Sequence, residues 1–136
     1  MGTTLLAAGI GTTSAAKSDD AESIQKTSLT FADQSPHYGT VYVTDVTLPE
    51  DGFIALHDAS FFTEGPVVGV SAPLAKGTYS KLPVEFTEYP DGPLTVAAIA
   101  HQDTPSDGVF TYPDDGDQPF LDDGAVVHDT AWISPE

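Results

Sequence analysis

The chain has 136 residues, 40% of them hydrophobic, and carries 21 Asp and Glu against 4 Lys, with no Arg and no Cys, for a formal net charge of −17. That length and apolar content suit one packed domain and exclude wholesale disorder. The missing Cys excludes disulfides, thiolate metal centres and thiol nucleophiles, and four cations cannot neutralise a row of phosphates, which excludes nucleic acid and anionic membranes as partners. Carboxylates crowded on a small body repel one another over a Debye length of about 10 Å in ordinary buffer, and over about 3 Å in molar salt. The composition therefore points to a protein that works in brine. The chain has no Asn, hence no N-glycosylation acceptor.

In chain order, the uncharged stretch Met1–Ala16, MGTTLLAAGIGTTSAA, ends in small residues and resembles the tail of a twin-arginine export signal, with cleavage expected near Ala16. Residues 1–26 are then a signal remnant and polar linker, or a tail that donates a strand to a neighbour. A stretch of this length is too short to span a membrane. The domain proper is expected over 27–136.

From Thr27 the apolar period is two, the mark of strands. SLTFAD sets Leu29 and Phe31 on one face. Thr40–Leu48 alternates Val41 and Val43 with Tyr42 and Thr44 and is strongly β-branched. Pro49–Gly52 reads as a tight turn joining it in a hairpin to the strand Gly52–Asp58. The segment from Ala59 to Pro66 carries Phe61 and Phe62, expected to fold back on the core. Val67–Ala72 is a short strand, and Tyr79, Leu82, Val84 and Phe86 mark another. YPDGP turns the chain into Leu94–His101, an almost continuously apolar run that fits a central strand buried on both faces. A long loop from Gln102 to Gly124 precedes the last strand, AVVHDTAWIS. About seven short strands with regular turns predict an all-β, antiparallel, immunoglobulin-like β-sandwich, with a closed barrel as the competitor.

Three constellations could carry chemistry. Asp103, Asp114, Asp115 and Asp117, interleaved with Gly in the long loop, offer the oxygen ligands that Ca²⁺ takes, although their spacing is not that of an EF-hand; the bland alternative is a solvated acidic loop. His57, His101 and His128 each precede an acid near a strand end. Three imidazoles there would suit Zn²⁺ or Cu²⁺, as a small metal-binding module or enzyme, and hydrogen-bonded clasps are the simpler alternative. Trp132, Tyr42, Tyr79 and Tyr112 are expected in the core, with a sugar-stacking platform as the other reading. GVSAP is not a nucleophile elbow, and no pair of carboxylates stands out for sugar hydrolysis.

The blocks VTLPEDGFIALHDAS, VVGVSAPLAKGTYSKLPVEF, LTVAAIAHQDT and DDGAVVHDTAWIS, in this order over about two thirds of the chain, resemble a domain-of-unknown-function family of haloarchaeal secreted and cell-surface proteins. The resemblance implies export, salt adaptation and a β-rich fold, and it supplies no catalytic residues. The expectation is thus a secreted or cell-surface, non-enzymatic, structural, adhesive or self-assembling protein. Its partners would be further copies, other surface proteins or divalent cations.

Overall fold

A computed structural model of the chain describes residues 26–104, 107–113 and 116–135. The opening stretch and Asp114 and Asp115 lie outside the described residues, and with them the expected export remnant. The described residues form nine strands and no helix: β1 Ser28–Thr30, β2 Thr40–Leu48, β3 Gly52–Asp58, β4 Val67–Val70, β5 Gly77–Phe86, β6 Leu94–Gln102, β7 Leu121–Asp122, β8 Ala125–Val126 and β9 His128–Ile133. Seven of them make one sheet in the order β9-β6-β3-β4-β5-β2-β1, every neighbouring pair antiparallel. β7 and β8 form a separate hairpin whose turn, Asp123-Gly124, has positive φ at both residues (55° and 84°), as the tightest hairpin turns require.

The sheet folds over on itself. Ile54, Leu56, Val96, Ala98, Ala131 and Ile133 from one half meet Val41, Val43, Val46, Leu48, Leu82 and Val84 from the other in one core. The residues that follow β1 meet the edge strand β9 through side chains as well as backbone: Phe31 N–H donates to Asp129 Oδ2 at 2.9 Å and Trp132 N–H to Asp33 Oδ1 at 2.8 Å. This is the expected antiparallel architecture of about seven strands, two layers over a shared core with its edges nearly closed.

Four local expectations need correction. β2 and β3 are not a hairpin: β2 pairs with β1 and β5, β3 with β4 and β6. Pro49–Gly52 instead carries the chain from one layer to the other, because each strand needs its apolar face turned toward the same core. Gly52 sits at this corner, where a Cβ would stand 2.2 Å from the His101 carbonyl oxygen. Second, Phe61 and Phe62 do not fold back; they are 91% and 75% exposed. Asp58 Oδ1 accepts from both Ser60 N (3.0 Å) and Ser60 Oγ, and Gly65 N–H returns to Phe62 O at 3.1 Å, so the turn throws both rings to its tip.

Third, of the four ring-bearing residues expected inside, only Tyr79 packs against the core, and none is fully buried. Trp132 is half exposed, and Tyr42, Tyr79 and Tyr112 are only half-buried; the interior is mostly aliphatic, with Phe31, Phe53 and Phe120 as its aromatics. Their positions on β9, β2, β5 and a loop put them on separate elements, and Tyr42 is covered by the Lys81 ammonium 4.4 Å from its centroid. Last, β4 ends at Val70 rather than Ala72: beyond it Ser71, buried, turns its Oγ to the Ile54 amide at 3.0 Å.

Candidate functional site

β3 and β6 are buried on both faces. Ile54, Leu56, Val96, Ala98 and Ala100 point to the shared core; alternation sends Phe53, Ala55 and His57 of β3, and Ala97, Ile99 and His101 of β6, to the opposite face. That second face is roofed by residues 59–66 and, from the long loop, residues 107–113 and 116–119. Phe110 stands edge-on to Phe53 (5.3 Å between centroids) and to His101 (5.2 Å), and Tyr112 stands edge-on to His101 (4.6 Å) and His57 (5.9 Å).

Under this roof His57 and His101 have no exposed surface at all. They lie opposite Ala97 and Phe53 respectively, with the Ala55–Ile99 pair between them in the register, so each side chain must lean along the strands to meet the other. Their Nε2 atoms are 3.1 Å apart. The rings are nearly parallel (6°), with centroids 5.3 Å apart. The centroid separation exceeds the nitrogen separation by about one ring radius at each end, so the imidazoles meet tip to tip in a common plane. The outer nitrogens are tied to the roof: His57 Nδ1 lies 2.7 Å from Gly65 O, and His101 Nδ1 lies 2.6 Å from Asp117 O. A Cβ at Gly65 would stand 2.0 Å from Asp58 O, which is why this carbonyl is presented by glycine.

Burial lowers the pKa of both rings, that of His101 to about 4, since desolvation disfavours the charged form; each is opposed by its carbonyl partner, and His101 is lowered further by the like charge of His57. Glu64 and Asp117 act in the other direction through their negative charge. Desolvation also raises the Tyr112 hydroxyl pKa, and Glu64 adds to it.

The third histidine does not join them. His128, on β9, is exposed, and its Nδ1 lies 3.1 Å from Val126 O. Among the described residues no group of three or more His, Asp and Glu is arranged to hold a metal ion. An ion between two nitrogens that meet tip to tip would need them roughly 4 Å apart at ordinary metal–nitrogen distances of about 2.0 Å; 3.1 Å is a hydrogen-bond separation.

The acidic loop is organised from within. Asp117, 1% exposed, accepts from Thr104 N at 2.8 Å through Oδ1, and from Thr111 N (2.6 Å) and Thr111 Oγ1 (3.1 Å) through Oδ2. Asp103 accepts from Gly108 N at 3.0 Å and Asp107 N at 3.4 Å. Asp51, Asp58 and Asp107 likewise each take a backbone N–H. In a chain without Arg, carboxylates thus serve as acceptors for loop amides, where they are worth more than as exposed ion pairs such as Lys26–Asp122, 3.9 Å apart.

Gly65 and Phe110 carry as much of this site as the histidines do, and nothing in the sequence singled them out; Asp117 was a candidate for its carboxylate and not for the carbonyl it offers His101. One signal was available. Each His closes a run, FIAL or VAAIA, that is apolar on both faces, and a His there must be buried and needs a partner.

The geometry defines an all-β domain whose most distinctive polar feature is a sealed histidine pair. Residues 27–134 match the family described as Domain of unknown function (DUF7282), and the chain belongs to that family. It is 36% identical over 108 residues to "Cell surface glycoprotein 2" of Haloarcula hispanica, and 32% identical over 106 residues to "Cell surface glycoprotein 1" of the same organism. Each match covers 78% of this chain and 11% of the relative, so the chain corresponds to a small part of those proteins. No solved structure matches.

Proposed function

We propose that the chain is a non-enzymatic structural module of a halophile's cell surface, exposed to brine outside the cell. The carrying observation is the use of its polar residues. Of the acids and imidazoles that could carry chemistry, Asp117 and the His57–His101 pair are turned inward as acceptors and partners, at 1% and 0% exposure. The charge that faces solvent is chiefly carboxylate, which keeps a packed body dispersed in concentrated salt. The names of its two Haloarcula relatives support the location. The word glycoprotein in those names does not extend to N-linked sugar on this chain, which has no Asn.

Two measurements test the reading. Cells producing the chain, fractionated in molar NaCl, should yield it in the envelope or medium; recovery in the cytoplasm refutes the location. Its melting temperature should rise steeply from dilute buffer to molar NaCl as screening shortens from about 10 Å to about 3 Å. A flat profile would remove the brine argument.

A further inference from the structure

The His57–His101 contact has a proton count that two ordinary neutral imidazoles cannot meet. A backbone carbonyl only accepts, so the short contacts of His57 Nδ1 to Gly65 O and of His101 Nδ1 to Asp117 O each require a proton on Nδ1. The third contact, Nε2 to Nε2 at 3.1 Å and tip to tip, would bring two bare lone pairs together unless a proton lies between them. Three contacts need three protons, and two neutral rings carry two.

We propose that His57 and His101 form a buried binding site for one shared proton, a singly charged imidazole–imidazolium pair that pins both roofing loops to the sheet. The charge sits beneath a roof that includes Glu64 on one loop and Asp117 on the other, with the Tyr112 hydroxyl as the remaining titratable group packed against it. Those two carboxylates and a net charge of −17 favour a cation there, and burial opposes it. The geometry admits one added proton only: a fourth would put an N–H on both facing nitrogens, with 3.1 Å between them. Loss of the bridging proton leaves the two lone pairs facing each other, so one ring must turn away and release Gly65 or Asp117. The pair is therefore a fastener for both loops, closed while it holds its proton. The Gly65 loop also carries the exposed Phe61 and Phe62, so their presentation depends on it.

Nitrogen-15 NMR of the imidazoles tests this. A His37→Gln/His128→Gln variant removes the two exposed histidines and leaves the pair as the only His signals. In molar NaCl near neutral pH, both Nδ1 should resonate as protonated nitrogens. Both Nε2 should lie between protonated and bare values, sharing one strongly downfield proton. Raising the pH until that proton is lost should increase hydrogen exchange at the Gly65 and Thr104 amides about tenfold relative to strand amides. A neutral pair, with one Nδ1 bare and no shared proton, overturns the proposal. So does stoichiometric retention of Zn²⁺ or Ag⁺ after dialysis with loss of the bridging signal, which would make the pair a metal site.

Discussion

Replacing Asp117 by Ala probes how the long loop is held. The carboxylate, 1% exposed, accepts the amides of Thr104 and Thr111 and the Thr111 hydroxyl. The hydroxyl can turn to water, but the two amides lose an acceptor inside a tight loop, at about 1–3 kcal/mol each, or about 2–6 kcal/mol together. Against a typical stability of about 5–15 kcal/mol this is a large fraction. Asp117→Asn keeps one acceptor oxygen and sets an NH₂ against the other donor, so it should lose roughly half as much. Urea unfolding at fixed molar NaCl, followed by circular dichroism and by the fluorescence of the single tryptophan, Trp132, measures both. A loss below about 0.5 kcal/mol for Asp117→Ala would refute the clamp. A loss seen only in the presence of Ca²⁺ would refute it differently, by making the carboxylate a cation ligand.

Gly52→Ala should fail to fold or lose more than about 4 kcal/mol, because its Cβ meets the His101 carbonyl oxygen at 2.2 Å; expression with thermal melts checks this. Phe61→Ser with Phe62→Ser should leave stability within about 0.5 kcal/mol, since both rings are exposed, and an unaltered urea midpoint is the expected result. The histidine pair gives a pH dependence with a definite sign. With the shared proton held, the second proton goes on only near pH 4, where His101 is held below its ordinary 6.5, so between these values the unfolded chain, with both imidazoles charged, binds one more proton and stability falls as pH falls. The slope approaches about 1.4 kcal/mol per pH unit. The difference between the wild-type curve and that of a His57→Gln/His101→Gln variant isolates this from carboxylate titration, and identical slopes would refute it.

The strands were legible because their apolar residues recur with period two, and β6 was legible as a two-sided core strand because VAAIA leaves no polar face. Pairing was not. The Pro-Glu-Asp-Gly sequence specifies a change of direction, and local chemistry alone does not distinguish a return beside the same strand from a step across to the opposing layer. The inward face of β2 is another case: it shifts from Val41 and Val43 to Val46 and Leu48 at Asp45, whose φ is +52°. Strict alternation does not foresee this bulge. At the site, the three histidines were visible as a set, but which of them meet depends on strand order and on the loops above. β9 holds His128 at an exposed position, while the loops seal the other two. In the acidic loop a carboxylate that can ligate a cation can equally accept an amide, so the sequence left both roles open for Asp103 and Asp117; in the fold both accept loop amides.

The seam between β1 and β9 has a mechanical consequence. Gln34 bridges Ile133 in parallel, with Gln34 N–H donating to Trp132 O at 3.2 Å and Ser134 N–H to Gln34 O at 3.1 Å, so the first and last strands of the domain run the same way, side by side. The chain thus enters at one pole and leaves at the other. Copies joined in series would extend as a rod, each adding a length set by its nine-residue strands, roughly 30 Å. Tension along such a rod would load the Phe31–Asp129, Trp132–Asp33 and Ser134–Gln34 bonds together in shear, rather than opening them one after another.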